Sequence, residues 1–339
     1  MLLYPTLQLT LVTQIIVTLQ LLPGHHNLDV VLSVQTINYF SIISMDNFMK
    51  PTVNCKLPMS LNIKFNSITH VLIDGVIFLG CVQTKIHAVD NFTILRSNLS
   101  GIKETVTLVP GTALMVSEST VRIKNSMFRN FDGSRSLAAL PQRDHSGHDH
   151  DIAGPGVILC SESSIEIINS SFVNNSGRSG GAVLAELSRV VIVSSSFFNN
   201  TLSTCRRECY GGVLYSDRSN VTTLSCIFDS NGGNNVVGGV FRTLQSCIRI
   251  SECKMVNNTA TTCDVLRSDN SNVTINNTTF SNNKAKYVGG VLCTGSSSTF
   301  INKASSTIMK VDVQLCMLIK CLLFSLRIAV FFKIKQTKD

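Results

Sequence analysis

The chain is predicted to be all-β, a right-handed parallel β-helix with three short strands per coil, and three observations in its 339 residues predict it. The first is a fixed spacing: an aliphatic residue, then seven positions on an aromatic or Met, with Asn within the next three. It recurs as Val121/Phe128, Ile165/Phe172, Val190/Phe197, Val221/Phe228, Ile248/Met255 and Val273/Phe280. The second is a glycine pair nine positions before the aliphatic, at Gly180-Gly181, Gly211-Gly212 and Gly238-Gly239. The third is that only the stretch after the aromatic varies, so the aromatic recurs at intervals of 44, 25, 31, 27 and 25 residues. Stacked coils require this arrangement, because each coil sits in register on its neighbour while its outer turn is free to grow.

The first strand of each coil follows the glycines. Leu114, Ile158, Val183, Leu214, Phe241, Leu266 and Leu292 form one column, with the small residues Cys160, Ala185, Ser216, Thr243 and Ser268 two positions on. Side chains alternate along a strand, so both columns point inward. The positions beside them, Ala182, Val213, Val240 and Val265, then Leu184, Tyr215, Arg242 and Arg267, are expected to point outward. The second strand carries Val121-x-Ile123, Ile165-x-Ile167, Val190-x-Ile192, Ile248-x-Ile250 and Val273-x-Ile275 inward, each preceded two positions earlier by a Ser. That small hydroxylated residue satisfies turn backbone groups. Because seven is odd, a bend must separate the aliphatic from the aromatic. Asn125, Asn169 and Asn277, three before the aromatic, are placed to adopt a left-handed conformation there. The third strand ends on the core ladder Phe128, Phe172, Phe197, Phe228, Met255 and Phe280, and Phe78 keeps the same offset upstream behind Val71 and Ile73. A less regular coil is marked by Phe92, Ile94 and Leu99.

These positions divide the chain into β-helix repeats over 61–296, with a loop insertion at about 132–153, and a divergent N-terminal cap over 25–60. In 1–24 the apolar run Leu7 to Leu22 has the length of a signal-peptide core, but it holds Thr and Gln and no basic residue precedes it. After Gly289-Gly290 the expected aliphatic and aromatic positions fall on Thr299 and Ser306, so the pattern stops. The remaining 297–339 form a basic, apolar tail. Val311 to Phe332 reads either as a membrane anchor, interrupted by Lys320 and Arg327, or as the product of a truncated repeat. A membrane is a partner only if that tail is an anchor.

Charged residues are 15% and hydrophobic ones 44% of the chain, which excludes a disordered tail and a Glu/Lys/Ala-rich helical protein. Of the net charge of +8, the tail from Lys303 supplies seven Lys/Arg against Asp312 and Asp339. No basic stripe remains in the repeats, so no nucleic-acid partner is expected. Ten Asn-x-Ser/Thr sequons begin at Asn91, Asn98, Asn169, Asn174, Asn199, Asn220, Asn257, Asn272, Asn276 and Asn277. With twelve Cys they point to an oxidising, glycosylating compartment, extracellular or at the cell surface. An Asn/Ser/Thr-rich repeat also generates such tripeptides by composition. Cys205 with Cys209 is the expected local disulfide clip, and Cys55 with Cys81 is placed to close the first coil. Cys226 and Cys253 hold equivalent places in consecutive coils, two before the aromatic.

The elements GGAVL, GGVLY, GGVFR and GGVLC, together with FVNN, FFNN, FDSN and FSNN, resemble the repeats of polymorphic outer-membrane proteins. They are also similar to eukaryotic right-handed β-helix proteins of the pectate-lyase-like superfamily. The resemblance covers about residues 60 to 295. It implies a parallel right-handed β-helix on a secreted or surface protein used in adhesion. No C-terminal autotransporter barrel is visible, and the sequons and Cys content favour a eukaryotic member.

Polysaccharide-active enzymes need converging carboxylates, or Ca²⁺ ligands beside a basic residue. No acidic pair is expected on the outward positions: Asp217 and Asp264 read as isolated, and Asp74 as a turn residue. Arg242 and Arg267 read as a solvated surface pair, or as a small basic spot for an acidic sugar. The cluster Asp144 to Asp151 offers His145, His148 and His150 as metal ligands. As a Gly- and Ser-bearing insertion it reads first as a solvated loop. The expectation is a non-enzymatic scaffold that presents its surface to an extracellular protein or glycan, with no catalytic residue and no cofactor. The alternatives are a lyase, hydrolase or epimerase on the same fold, and a fragment of a longer surface protein.

Overall fold

Between coils, like residues meet like. In the computed structural model Phe128 lies on Phe172, Phe172 on Phe197 and Phe197 on Phe228, with ring centroids 5.0, 4.9 and 5.0 Å apart and nearly parallel planes. The register continues from Phe228 to Met255 and Phe280, and backwards from Phe128 through Leu99 to Phe78. The structure describes residues 15–28, 32–46, 48–55, 63–81, 83–101, 112–133, 140–143, 149–152, 154–203, 209–288 and 291–307.

The chain is a parallel β-helix. In one representative coil the strands are Val183–Glu186, Arg189–Val193 and Ser196–Phe198. First and second strands of successive coils merge into a 19-stranded sheet, and third strands form an 11-stranded sheet. A fourth short strand adds to the expected three on the outer turn, as in Val236–Val237 and Thr259–Thr262. Upstream, Ile16–Leu21 pairs in parallel with Tyr39–Ser44, which stacks on Ile63–Asp74. Downstream, Leu292–Gly295 is followed beyond residue 296 by Ser298–Asn302 and Ser305–Thr307, which complete a three-stranded coil with Thr299 on Val273 and Ser306 on Phe280. The repeat thus runs one coil further than its apolar pattern, because backbone pairing needs no apolar side chain to continue. The insertion carries an antiparallel hairpin, Leu140–Arg143 with Asp149–Ile152.

Each coil turns three corners on left-handed residues. The first falls on Glu118, Glu162, Leu187, Arg218, Gln245 and Asn270, the second on Asn125, Asn169, Ser194, Ser225, Glu252 and Asn277, the third on Asn130, Asn174, Asn199, Ser230, Asn257 and Asn282. Just after each corner sits a buried polar ladder. At the first, Ser163 Oγ donates to the Ser161 carbonyl at 2.6 Å and accepts the N–H of Ser119, and the pattern repeats through Ser188, Ser219, Ser246 and Ser271. At the third, Asn200 Nδ2 donates to the Phe172 carbonyl and to Asn231 Oδ1, while its own Oδ1 accepts from Asn175. Asn231 and Asn258 do the same, while at the ends of the ladder Asn175 Oδ1 accepts the N–H of Phe131 and Asn283 Nδ2 donates to the Met255 carbonyl. Corner backbone groups that no strand can pair are satisfied in this way.

The expected outward positions Ala182, Val213, Val240 and Val265 are instead fully buried in the main core. The reason lies in the fourth corner, at the glycine pair. The N–H groups of both Ala182 and Val183 donate to the Val213 carbonyl, so the chain turns between them and two consecutive residues face inward. Gly211 there has φ 67°, and a Cβ on Gly212 would overlap the Gly239 carbonyl oxygen of the next coil. One glycine supplies the conformation and the other the clearance.

Candidate functional site

The outer face of the first-strand sheet carries two columns of side chains. One runs Ser33, Lys64, Lys85, Met115, Leu159, Leu184, Tyr215, Arg242 and Arg267; the other runs Gln35, Asn66, His87, Ser117, Ser161, Glu186, Asp217, Leu244 and Asp269. Along them the surface changes from basic, through apolar, to a mixed charged cluster.

The N-terminal part is a groove of about 510 Å³. Met115 and Leu159 supply apolar surface, and Lys64, Lys85, His87, Asn66, Gln35, Ser117 and Ser161 supply polar groups. Lys64 and Lys85 are both exposed and stand in register on adjacent strands, and among the described residues no Asp or Glu lines the groove. His87 Nδ1 lies 2.9 Å from Ser117 Oγ. Two ammonium groups one strand apart repel by about 1 kcal/mol in water, and a bound anion relieves that. The flat donors above an apolar floor suit a hydroxylated ring.

In the middle, Leu159, Leu184 and Tyr215 form a second small core, with Met115 and Tyr210 packed against it. Burial, and then the neighbouring Asp217 carboxylate, push the Tyr215 phenol well above its ordinary pKa. Beyond it lies a charged cluster that corrects three expectations. Glu186 and Asp217 are in register on adjacent coils, so an acidic pair does stack on this face. Asp217 is not isolated: Arg218 bridges the two carboxylates, 2.7 Å from Glu186 Oε1 and 3.3 Å from Asp217 Oδ2. Arg242 and Arg267 are not a solvated pair either. Both bind Asp269, at 2.7 and 2.8 Å, and the Arg242 guanidinium lies over the Tyr210 ring with its side chain only 13% exposed. Both guanidinium groups of the basic spot are therefore already engaged by one carboxylate. Asp217 Oδ1 and Arg242 Nε are buried without a hydrogen-bond partner. Asp74 pairs with Arg96 at 2.6 Å, which raises the Arg96 pKa.

Of the sequon asparagines, Asn169, Asn199, Asn220, Asn257, Asn272 and Asn277 are exposed, whereas Asn91, Asn98, Asn174 and Asn276 are half-buried. Cys55 and Cys81 are joined by a disulfide with Cα atoms 5.0 Å apart. Cys209 is also disulfide-bonded, and Cys205 lies outside the described residues. A bond between Cys263 and Cys293 was not foreseen, since Cys293 lies beyond the clearest repeats. His145 and His148 lie outside the described residues, and His150 falls in the hairpin strand Asp149–Ile152. Among the described residues no group of His, Cys, Asp and Glu is arranged to hold a metal ion, and no helix is long and apolar enough to cross a membrane. The apolar tail lies outside them.

The groove lysines escaped sequence reasoning because no glycine pair marks the upstream coils. There the first and second strands fuse into the 12-residue strands Ile63–Asp74 and Thr84–Leu95, bent at left-handed Ser67 and Ala88. Counting outward positions back from Met115 and Ser117 would have reached Lys85 and His87.

No family model and no curated protein matches the chain. Among solved structures it is similar to the catalytic domain of a GH87 alpha-1,3-glucanase in complex with nigerose, at 8% identity and TM-score 0.34, over 84% of this chain and 60% of that one. It is also similar to the Dettilon tailspike protein, at 12% identity and TM-score 0.29, over 83% and 55%. The chain thus spans less than two thirds of either, and likeness at these values bears on neither substrate nor chemistry. On its own strand register, the molecule is a parallel β-helix.

Proposed function

We propose that this protein is an extracellular or cell-surface β-helix scaffold that recognises an anionic glycan along the outer face of its N-terminal coils. The observation that carries this reading is the groove in which Lys64 and Lys85 stand in register with no carboxylate of the described residues lining it. Neither lysine takes part in an ion pair among the described residues. His87 and the amides and hydroxyls beside it provide the directional contacts that sugars need. Disulfides among the described residues support an oxidising compartment. Calorimetric titration with a polyuronate and with a neutral glucan tests the proposal. Binding of the polyuronate alone, weakening with salt and falling at least tenfold in the Lys64→Ala/Lys85→Ala double variant, is expected. Equal binding of both polymers, or no effect of the double variant, overturns it.

A second reading, a polysaccharide hydrolase, is favoured by the stacked Glu186 and Asp217 beside the partnerless Asp217 Oδ1. Two nearby carboxyl groups are the minimum for acid and base roles at a glycosidic bond. Release of new reducing ends that disappears in Glu186→Gln and Asp217→Asn, with polymer binding kept, selects it over the scaffold.

A further inference from the structure

The ladder at the second corner contains a substitution that the other ladders lack. Ser97, Ser126, Ser170 and Ser195 follow the left-handed residue there, and each hydroxyl donates to the carbonyl two residues back at 2.7–2.8 Å. The hydroxyls of Ser126, Ser170 and Ser195 each accept the N–H of the preceding coil's serine at 3.1–3.2 Å. Thr278 resumes this role at the far end. Between Ser195 and Thr278, two consecutive coils carry Cys226 and Cys253 instead. Each thiol lies 3.1 Å from the carbonyl two residues back, Leu224 and Ser251, so each copies the serine geometry.

The residues after them are in register, Ile227 on Lys254, and the Lys254 N–H donates to the Cys226 carbonyl at 2.9 Å. The two cysteines are thus one strand spacing apart, about 4.8 Å. Disulfides bridge Cα separations of about 4.4–6.8 Å. Two bonds between described residues have such separations, Cys55–Cys81 at 5.0 Å and Cys263–Cys293 at 5.6 Å. The side chains point to the same interior side, are 1% exposed, and are free thiols in the structure.

We propose that Cys226 and Cys253 are a cross-linking site, joined by a disulfide across two consecutive coils inside the helix while those coils close. The oxidant is a disulfide reagent of the secretory compartment, small-molecule or enzyme-borne. The Cys253 thiolate attacks one of its sulfurs, forming a mixed disulfide and expelling a thiolate. The Cys226 thiolate then attacks the Cys253 sulfur, forming the intramolecular bond and expelling the second thiolate. Two protons leave the cysteines, and the two electrons reduce the reagent to two thiols. The exchange precedes docking of the following coil, since the closed stack leaves neither sulfur accessible. The inference is independent of the glycan groove.

The test is refolding of the full chain in a glutathione disulfide buffer until Cys55–Cys81 is closed. The protein is then denatured without reductant, alkylated and proteolysed for mass spectrometry. A linked peptide pair containing Cys226 and Cys253 is expected, with neither residue alkylated. Cys226→Ser and Cys253→Ser put back the residue this ladder already holds in Ser126, Ser170 and Ser195, so both are expected to fold. Each should release the other cysteine for alkylation and lower the thermal midpoint by several degrees under non-reducing conditions only. Alkyl groups on both Cys226 and Cys253 in wild-type protein whose Cys55–Cys81 bond is intact overturn the proposal.

Discussion

Two asparagines side by side do opposite jobs. Asn199 is exposed and turns the corner at φ 50°, whereas Asn200 is buried and carries hydrogen bonds between three coils. Replacing Asn200 by Ala strands donors on Asn175, at about 1–3 kcal/mol for each unsatisfied group. Urea denaturation should show that loss, and Asn199→Ala should cost only about 1 kcal/mol through its left-handed backbone. Leu187 holds a corner at φ 48° with its side chain 46% exposed, a conformation that a branched apolar residue does not favour. Leu187→Asn is therefore expected to stabilise by about 1 kcal/mol, read as a higher urea midpoint. Cys160 sets a pH dependence. Burial, partly opposed by a hydrogen bond with Ser188, pushes its thiol up from 9.0 to about 12. A raised folded pKa means stability that is complete below the unfolded value and is lost as pH rises through about 9 to 12. In that window the slope reaches about 1.4 kcal/mol per pH unit. Denaturation midpoints at pH 8 and 10.5 should diverge less in Cys160→Ala than in wild type.

At the scale of elements, the aromatic file is the strongest lever. Phe197 is fully buried and stacked on both faces. Phe197→Ala should cost about 3–5 kcal/mol, and Phe197→Met less than about 1.5 kcal/mol, because Met255 already fills this file one coil beyond Phe228. Circular dichroism melts distinguish the two. This file, the serine ladder and the second-strand columns were legible in the sequence because each repeats one side chain type at one offset. What escaped lacked such a signature. Corners on Glu162, Leu187, Arg218 and Gln245 carry no residue that announces a left-handed backbone. The two-residue inward step at Ala182-Val183 breaks strand alternation through a backbone turn that composition does not mark. Of the outer face, Arg242 and Arg267 were placed correctly, but their shared partner Asp269 sits on the same strand as Arg267 and two columns had to be read together to see it. The Glu186–Asp217 pair was missed because only one outward column was followed.

For the whole molecule, fixed interiors with free outer turns make the coil the unit of change. Residues 173–197 span one coil, since Phe172 and Phe197 occupy the same place. Their excision should leave a shorter protein that folds with the same β circular dichroism and a reduced denaturant slope, as nearest-neighbour stacking predicts.

The hydrogen bonds that join one coil to the next all run along the length of the molecule. Tension between its two ends therefore falls on them directly, one layer after another, and not on many at once as in a sheared sheet. Anchored to a surface and pulled at its tip, the rod would give way by shedding successive turns, each releasing slack set by its own outer loop. Only where sulfur bridges tie turns together, as between Cys263 and Cys293, would the unravelling be held.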